Sequence, residues 1–392
     1  MTPIGSVAVR RSSFIVTYWE RGRHWAECYL TRTRRECDAR ALEILEMANE
    51  WTSRCRICDA LDPARTRAIE AMIEELVGEG FLEPADEPRS AAAMKLDGWS
   101  AWNPSAGFFH AASTWLSPQR ATSAPATDSI RPQWRIAASS LLHPMPPSLK
   151  TYSGSERTPL PPFARDGELA DVLSARRSWR AFGDRPITVD ELSQLLGATF
   201  AVREWMDVGE MEWVALKSSP SGGARHSVEA YIVARRVDGL ASGIYHYDPD
   251  LHALETLRAD DPGAMHQVLA SAMPTQPWFH DCAALVVMTS VFARMQWKYS
   301  HAHAYRVVFL DAGHLGQTFL LTATSLGLAP FCTAAIDSGV LESQFEIDGI
   351  SEAVLYAVGV GAKRSGMEWE EATIPEGIEP PATRPPAWAR QP

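Results

Sequence analysis

"ARRSWRAF", residues 175–182, sets three arginines, Arg176, Arg177 and Arg180, around one hydroxyl, Ser178. The chain that carries it is acidic, with a formal net charge of -11 over 392 residues. If the stretch is extended, Arg176, Ser178 and Arg180 point to one side and Arg177 and Trp179 to the other, because side chains alternate along an extended backbone. Two guanidiniums flanking a hydroxyl suit a phosphate or an anionic ring oxygen, since arginine binds phosphate through paired N–H groups. A solvated basic loop accounts for the same residues. On its own, the stretch leaves both readings open.

Composition narrows the setting. Length suggests two or three domains. Hydrophobic residues at 46% and charged residues at 22% are ordinary for a globular protein. The acidic balance argues against a nucleic-acid surface, though not against a local anion site. The N-terminal apolar stretch is too short and interrupted for a signal peptide, and no run approaches the ~18 apolar residues of a membrane helix. A soluble, reducing, cytoplasmic protein is expected. Six cysteines, Cys28, Cys37, Cys55, Cys58, Cys282 and Cys332, form no spaced framework. Cys55 and Cys58 are one C-x-x-C pair where zinc needs about four ligands, so buried structural thiols are expected.

Working outward from 175–182, "DGELADVLSA" before it reads as a helix. After it, "TVDELSQLLGATF" opens with Thr188 and has Glu191 three residues on, a capping box. "VEAYIVARRV" (228–237) reads as a strand, "SGIYHYDPDLHALETL" as a hairpin, and the apolar run "AALVVMTSVF" (283–292) as a buried central strand. "AYRVVFLDAGHLGQTFLLTATSLGL" (304–328) is a long helix, apolar nearly all round, and "EAVLYAVGVG" (352–361) a last strand. Upstream, residues 13–34 read as a hairpin turning at Arg21–Gly22–Arg23. Helices are expected over 38–51, a short one after it, and from 65 to Gly78 or Gly80, with Phe81–Leu82 as a hydrophobic edge leading to Pro84. That order suggests a small winged-helix-like domain over 1–90. Residues 91–165 read as a connecting region rich in proline and tryptophan, with Trp99, Trp102, Phe108, Phe109 and Trp115 seeking burial. Within it, 116–165 reads as a linker that wraps over the rest. A second domain is expected over 166–392.

Two further stretches carry chemistry. In "KSSPSGGARH" (217–226), Pro220 fixes one backbone angle, Gly222 and Gly223 allow close approach to a flat ligand, Ser221 offers a hydroxyl and Arg225 a charge. A plain turn before the strand explains the glycines equally. In "RMQWKYSHAHAYR" (294–306), Lys298 and Tyr299 are adjacent proton-transfer candidates. A basic loop leading into a helix is the alternative. His301 and His303 lack further ligands, so no metal site is expected. No glycine-rich dinucleotide or nucleoside-triphosphate fingerprint follows a strand.

Taken together, R-x-S-x-R-x-F (176–182), P-S-G-G-A-R-H (220–226), K-Y followed by Y-R-x-x-x-L-D-A-G-H-L-x-Q (298–317), L-G-L (326–328) and V-G-V-G (358–361) resemble the nitroreductase superfamily, more narrowly the SagB-type azoline dehydrogenases of ribosomal-peptide maturation. The resemblance covers about 166–364. It implies an α+β fold, a mostly antiparallel sheet flanked by helices, in an intertwined homodimer with FMN at the interface. It assigns Arg176, Ser178 and Arg180 to FMN, with Pro220, Ser221 and Gly222 lining the ring and Arg225 nearby. Ala334 and Ala335 match the region usually near flavin N5. Lys363 or Arg364 completes the phosphate site from the partner protomer. Lys298 and Tyr299 match the acid/base pair of azoline oxidation. The implied substrate is a modified precursor peptide, with a cyclase as a possible partner. An NAD(P)H-dependent reductase of small molecules or dehydroamino acids, and a non-catalytic scaffold, remain alternatives. The N-terminal domain reads equally as a leader-peptide binder or as a docking or dimerisation arm.

Overall fold

A computed structural model describes residues 7–114, 167–209 and 213–366, with isolated positions 149, 150, 158 and 160. Trp115, the wrapping linker expected over 116–165 and the residues beyond 366 lie largely or wholly outside the described residues. The chain begins with strands β1 (Ala8–Arg11), β2 (Ile15–Glu20), β3 (Arg23–Cys28) and β4 (Thr33–Glu36), then α1 (Ala39–Met47), β5 (Thr52–Ser53), α2 (Arg54–Leu61), α3 (Thr66–Gly78) and β6 (Leu82–Pro84). Helices α4 (Ala91–Asp97) and α5 (Asn103–Ser113) follow. After the gap come α6 (Glu168–Ala175), β7 (Ile187–Thr188), α7 (Val189–Phe200), β8 (Val202–Asp207), β9 (Trp213–Lys217), β10 (Val228–Ala234), β11 (Val237–Asp238), β12 (Gly243–Asp248) and β13 (Ala253–Ala259). The chain continues through α8 (Pro262–Ala272), β14 (Ala284–Val291), α9 (Phe292–Lys298), α10 (Ala304–Ser325), β15 (Ala329–Thr333), α11 (Ser338–Phe345) and β16 (Glu352–Gly361).

Six strands form one antiparallel sheet in the order β13-β12-β10-β14-β16-β15. Alternation along the strands sends Ala230, Ile232, Val286 and Met288 to one face, against α7 and the inner face of α10. Tyr231, Val233, Leu285 and Val287 go to the other face, against α8 and α11. β14 is apolar from Ala284 to Met288 because helices cover both of its faces. The expected capping box is present: Thr188 Oγ1 accepts from Glu191 N–H, and Glu191 accepts from Thr188 N–H.

At the N-terminus, β1 pairs with β5 and β6 beside α1, α2 and α3, while β2, β3 and β4 form a separate three-stranded meander. Residues 91–113, expected within a connecting region, form helices α4 and α5 with Trp99, Trp102 and His110 buried, whereas Phe109, also expected to be buried, is 55% exposed. Trp99 and Trp102 pack edge-on against Phe292 of α9, and Trp102 edge-on against Tyr305 of α10. Trp102 Nε1 donates to Tyr299 O at 2.8 Å. His110 lies between the two parts of the chain: its Nε2 donates to Gly349 O at 2.7 Å, and Nδ1 accepts from Tyr305 Oη at 2.8 Å. Burial lowers its pKa, in keeping with that neutral tautomer. Lys95 and Asp348 add an ion pair at 2.6 Å. One apolar cluster therefore contains Val9, Ile44, Ile73 and Trp102 together with Phe292, Met295 and Val308. The reason is chemical: the indoles of 91–102 are too large to cover within their own short helices.

Trp102 is fully buried. Trp102→Ala should lower unfolding stability by about 3–5 kcal/mol, measured by urea denaturation.

Candidate functional site

The segment Pro220–Ser221–Gly222–Gly223 is anchored to α10. Ser221 Oγ donates to Asp311 Oδ2 at 2.6 Å, and Gly222 N–H donates to Asp311 Oδ1 at 3.1 Å. His226 N–H in turn donates to Ser221 Oγ at 2.9 Å. Burial raises the Asp311 pKa, while these bonds favour its charged form. Gly222 lies so close to α10 that a Cβ would stand 2.3 Å from Val307 Cγ1. Gly223 has φ +60, and a Cβ there would stand 2.5 Å from the Tyr299 hydroxyl and 2.9 Å from Lys298 Nζ. Lys298 Nζ donates to Gly223 O at 3.2 Å. Pro220, Ser221, Gly222, Lys298 and Tyr299 thus meet at one junction. The stretch whose alternative reading is a basic loop supplies this meeting through helix α9, whose Phe292 and Met295 are buried. Among the described residues no group of three or more histidine, cysteine or acidic side chains is placed to hold a metal.

The arginine stretch lies elsewhere. α6 ends at its cap residue Arg176, and Arg177 Nη1 turns back to the carbonyls of Ser174 and Arg176, each at 2.8 Å. Trp179 is buried, its N–H donates to Pro330 O at 2.9 Å, and Lys363 Nζ sits 5.3 Å from its ring centroid. Gly183 N–H donates to Ala362 O at 2.9 Å. The stretch therefore runs beside the end of β16, bringing Arg176, Ser178 and Arg180 to the same edge as Lys363 and Arg364. Burial lowers the Arg180 pKa. No carboxylate among the described residues forms an ion pair with Arg176, Lys363 or Arg364. A half-buried hydroxyl and several cations without acids at hand fit a phosphate-bearing group.

The expected cofactor residues do not converge within one chain. The Ser221 junction lies at the end of the sheet where Val228, Ser290 and Ala353 are paired. The arginine stretch lies at the end where Ala234, Ala284 and Val360 are paired. Six residue steps of strand separate the two, roughly 20 Å. Ala334 lines a cavity of about 300 Å³ with Tyr305, Phe309, Gly313 and Tyr356, and Ala335 N–H donates to Thr333 Oγ1 at 3.0 Å. On α10, Asp311, His314 and Thr318 face the Ser221 side, whereas Tyr305, Phe309 and Gly316 face the cavity side. Between the two flanks the helix shows solvent Leu310, 60% exposed.

Arg225 faces a third place. Its Nε donates to Gly223 O at 3.2 Å, and its guanidinium lies 5.1 Å from the Trp297 ring centroid. There it lines a cavity of about 900 Å³ with Lys217, Glu229, His246 and Arg294. Glu229 accepts from His246 Nε2 at 3.0 Å and from Arg294, and His246 Nδ1 reaches Glu255 at 2.8 Å. These bonds, to Glu229 first, raise the His246 pKa to about 9. Asp311, Lys217, Glu229 and His246 were not singled out from sequence. A lone aspartate inside an apolar helix was the one visible hint among them.

Residues 173–362, just under half of the chain, match the nitroreductase family model, and the chain carries a nitroreductase-family domain there. Proteins of that family typically bind a flavin. A Methanocaldococcus jannaschii nitroreductase-family protein is 29% identical over 202 residues, 52% of this chain and 94% of that protein. The trifolitoxin-processing protein TfxB of Rhizobium leguminosarum bv. trifolii is 29% identical over 142 residues, 36% of this chain and 38% of its own length. The E. coli microcin synthetase McbBCD complex with truncated pro-MccB17 bound contains a chain that is 17% identical, with a TM-score of 0.44, covering 72% of this chain and all of that one. Among the described residues no helix is long and apolar enough to cross a membrane.

Asp311→Ala should cost about 1.5–3 kcal/mol, the range for hydrogen bonds to a charged group, and should speed hydrogen exchange at the Gly222 amide. The raised His246 pKa sets a sign for pH dependence. Its stabilising contribution is full below the unfolded value of about 6.5 and is lost as pH rises through about 9. The stability difference between the native chain and His246→Gln should therefore shrink between pH 6 and pH 10, followed by denaturant melts.

Proposed function

We propose that the protein is an FMN-dependent oxidoreductase of ribosomal-peptide maturation that oxidises azoline rings in a precursor peptide to azoles. The observation that carries this reading is the contact of Lys298 and Tyr299 with Gly223, which seats a proton-transfer pair on the loop that lines the ring in the resemblance. The relation to a trifolitoxin-processing protein supports a peptide substrate. When bound, FMN supplies a two-electron acceptor. Arg176, Ser178, Arg180, Lys363 and Arg364 hold its phosphate and anionic edge. Ser221, Gly222 and Ala334–Ala335 face its ring. Lys298 or Tyr299 takes the ring proton of the azoline, so the substrate leaves with two hydrogens fewer.

The split of these residues supports a homodimer. Leu310 and Phe309 on α10, and Leu169 and Leu173 on α6, are all exposed apolar side chains. Pairing two chains across the α10 face sets one chain's Ser221 junction beside the other's Ala334 cavity. The N-terminal winged-helix-like unit, packed on α9 and α10, then presents the peptide close to Lys298, with a cyclase as partner in the cytoplasm.

Purified protein should be yellow and release FMN on denaturation, read by absorbance and mass spectrometry. Colourless protein that stays so after FMN addition would sink the reading. Lys298→Ala should retain FMN yet slow azoline oxidation by about 10²–10⁴-fold, whereas Leu310→Arg should give monomers that lose FMN, seen by light scattering.

A further inference from the structure

The 900 Å³ cavity borders the Ser221 loop through Ala224, Arg225 and His226, but Ser221, Gly222, the arginine stretch and the Lys298–Tyr299 pair are not part of its lining. It forms because α8 and α11 cover only part of the outer sheet face: Tyr231 is stacked on Phe345 of α11, and beyond it Glu229 and His246 line the cavity floor. The β8–β9 hairpin closes over one side, and α9 forms a wall. Of the five large exposed tryptophans among the described residues, three, Trp205, Trp213 and Trp297, stand at this one cavity. Aromatic side chains gathered at one concave place are characteristic of binding sites.

The charges inside are unevenly satisfied. Arg294 is committed to Glu229, and Glu229 is further held by His246. Lys217 is different: among the described residues no hydrogen bond or ion pair reaches its ammonium, and burial lowers its pKa. Lys217, Arg225 and Arg294 all act on the imidazole of His226. Burial first, then the Lys217 cation, push that ring down to about 4. Its Nε2 donates to Ala215 O at 2.9 Å, so the neutral ring holds its proton there. The cavity thus keeps a desolvated ammonium, within the influence of Glu229 and Arg294, beside a neutral histidine that Arg225 also acts on, with aromatic walls.

We propose that this cavity binds a carboxylate carried by an aromatic or apolar peptide residue, with Lys217 and Arg225 receiving the anion and the tryptophans receiving the apolar part. A singly charged anion fits better than a phosphate. Glu255, Asp248, Asp250 and Glu352 also line the cavity, and their charge opposes a dianion. The carboxylate is either a chain terminus or an acidic side chain. Arg225 and Gly223 are hydrogen bonded, so an occupant here sits one loop away from Lys298. The site does not depend on the flavin reading.

The test uses the full chain as purified, with calorimetry and histidine NMR. The probes are N-acetylphenylalanine, its neutral amide, N-acetyl-phenylalanyl-glutamate α-amide with its side-chain carboxylate free, and inorganic phosphate. One or both carboxylate probes should bind, the amide at least ten-fold more weakly, and occupancy should raise the His226 pKa from about 4. Which carboxylate binds tells terminus from side chain. Lys217→Met should weaken binding about ten- to a hundred-fold, and Lys217→Arg should restore most of it. If Lys217→Met does not fold, the acid-against-amide comparison in the native chain decides. Equal binding of acid and amide, tighter binding of phosphate, or no heat and no His226 shift with any probe overturns the proposal.

Discussion

A buried carboxylate holds the functional half of this molecule in register. Asp311 is 3% exposed on the long helix α10, where an unpartnered charge would be costly. Ser221 and Gly222 supply its hydrogen bonds, so loop and helix cannot separate without orphaning it. From that anchor the backbone proceeds in two directions. Gly223 receives Lys298 on one side, and Arg225 and His226 turn into the wide cavity on the other. Both candidate sites therefore inherit their geometry from one side chain, and the close packing of Gly222 on Val307 leaves the loop no slack.

Much of the fold was legible because its elements bury one face each and advertise it. The last strand, expected at 352–361, occupies Glu352–Gly361, and the long helix expected at 304–328 occupies Ala304–Ser325. The misses share a physical cause. α9 presents Arg294, Gln296 and Lys298 around only two buried anchors, Phe292 and Met295, so polarity hid it. β4 reads Thr-Arg-Arg-Glu, with no apolar residue. It is held by its ladder to β3 and by Arg35 bridging to Glu75 and Glu79. Residues 91–113 looked like a connector because what buries their tryptophans lies about two hundred positions away.

The candidate site was legible as residue types and not as an arrangement. Arg176, Ser178, Arg180, Ser221, Gly222, Lys298 and Tyr299 stand out through local spacing, which reports chemistry. No spacing reveals that they fall at two ends of one sheet. The network of Glu229, His246, Glu255 and Arg294 is harder still. Its members come from three neighbouring strands and a helix, and only the strand register brings them together.

The docking of Trp102 on Tyr299 and of His110 on Tyr305 also orders events in time. These partners are 197 and 195 residues apart along the chain. During synthesis the N-terminal strands and helices leave the ribosome first, yet their cluster lacks Phe292, Met295 and Val308 until α9 and α10 emerge. The segment made first completes its core late, and the indoles of Trp99 and Trp102 wait uncovered through most of translation. Contacts of such long range slow folding and lengthen the exposure of apolar surface. The nascent chain is thus most prone to aggregate before residue 305, and a chain truncated ahead of that point would leave its N-terminal half without a finished interior.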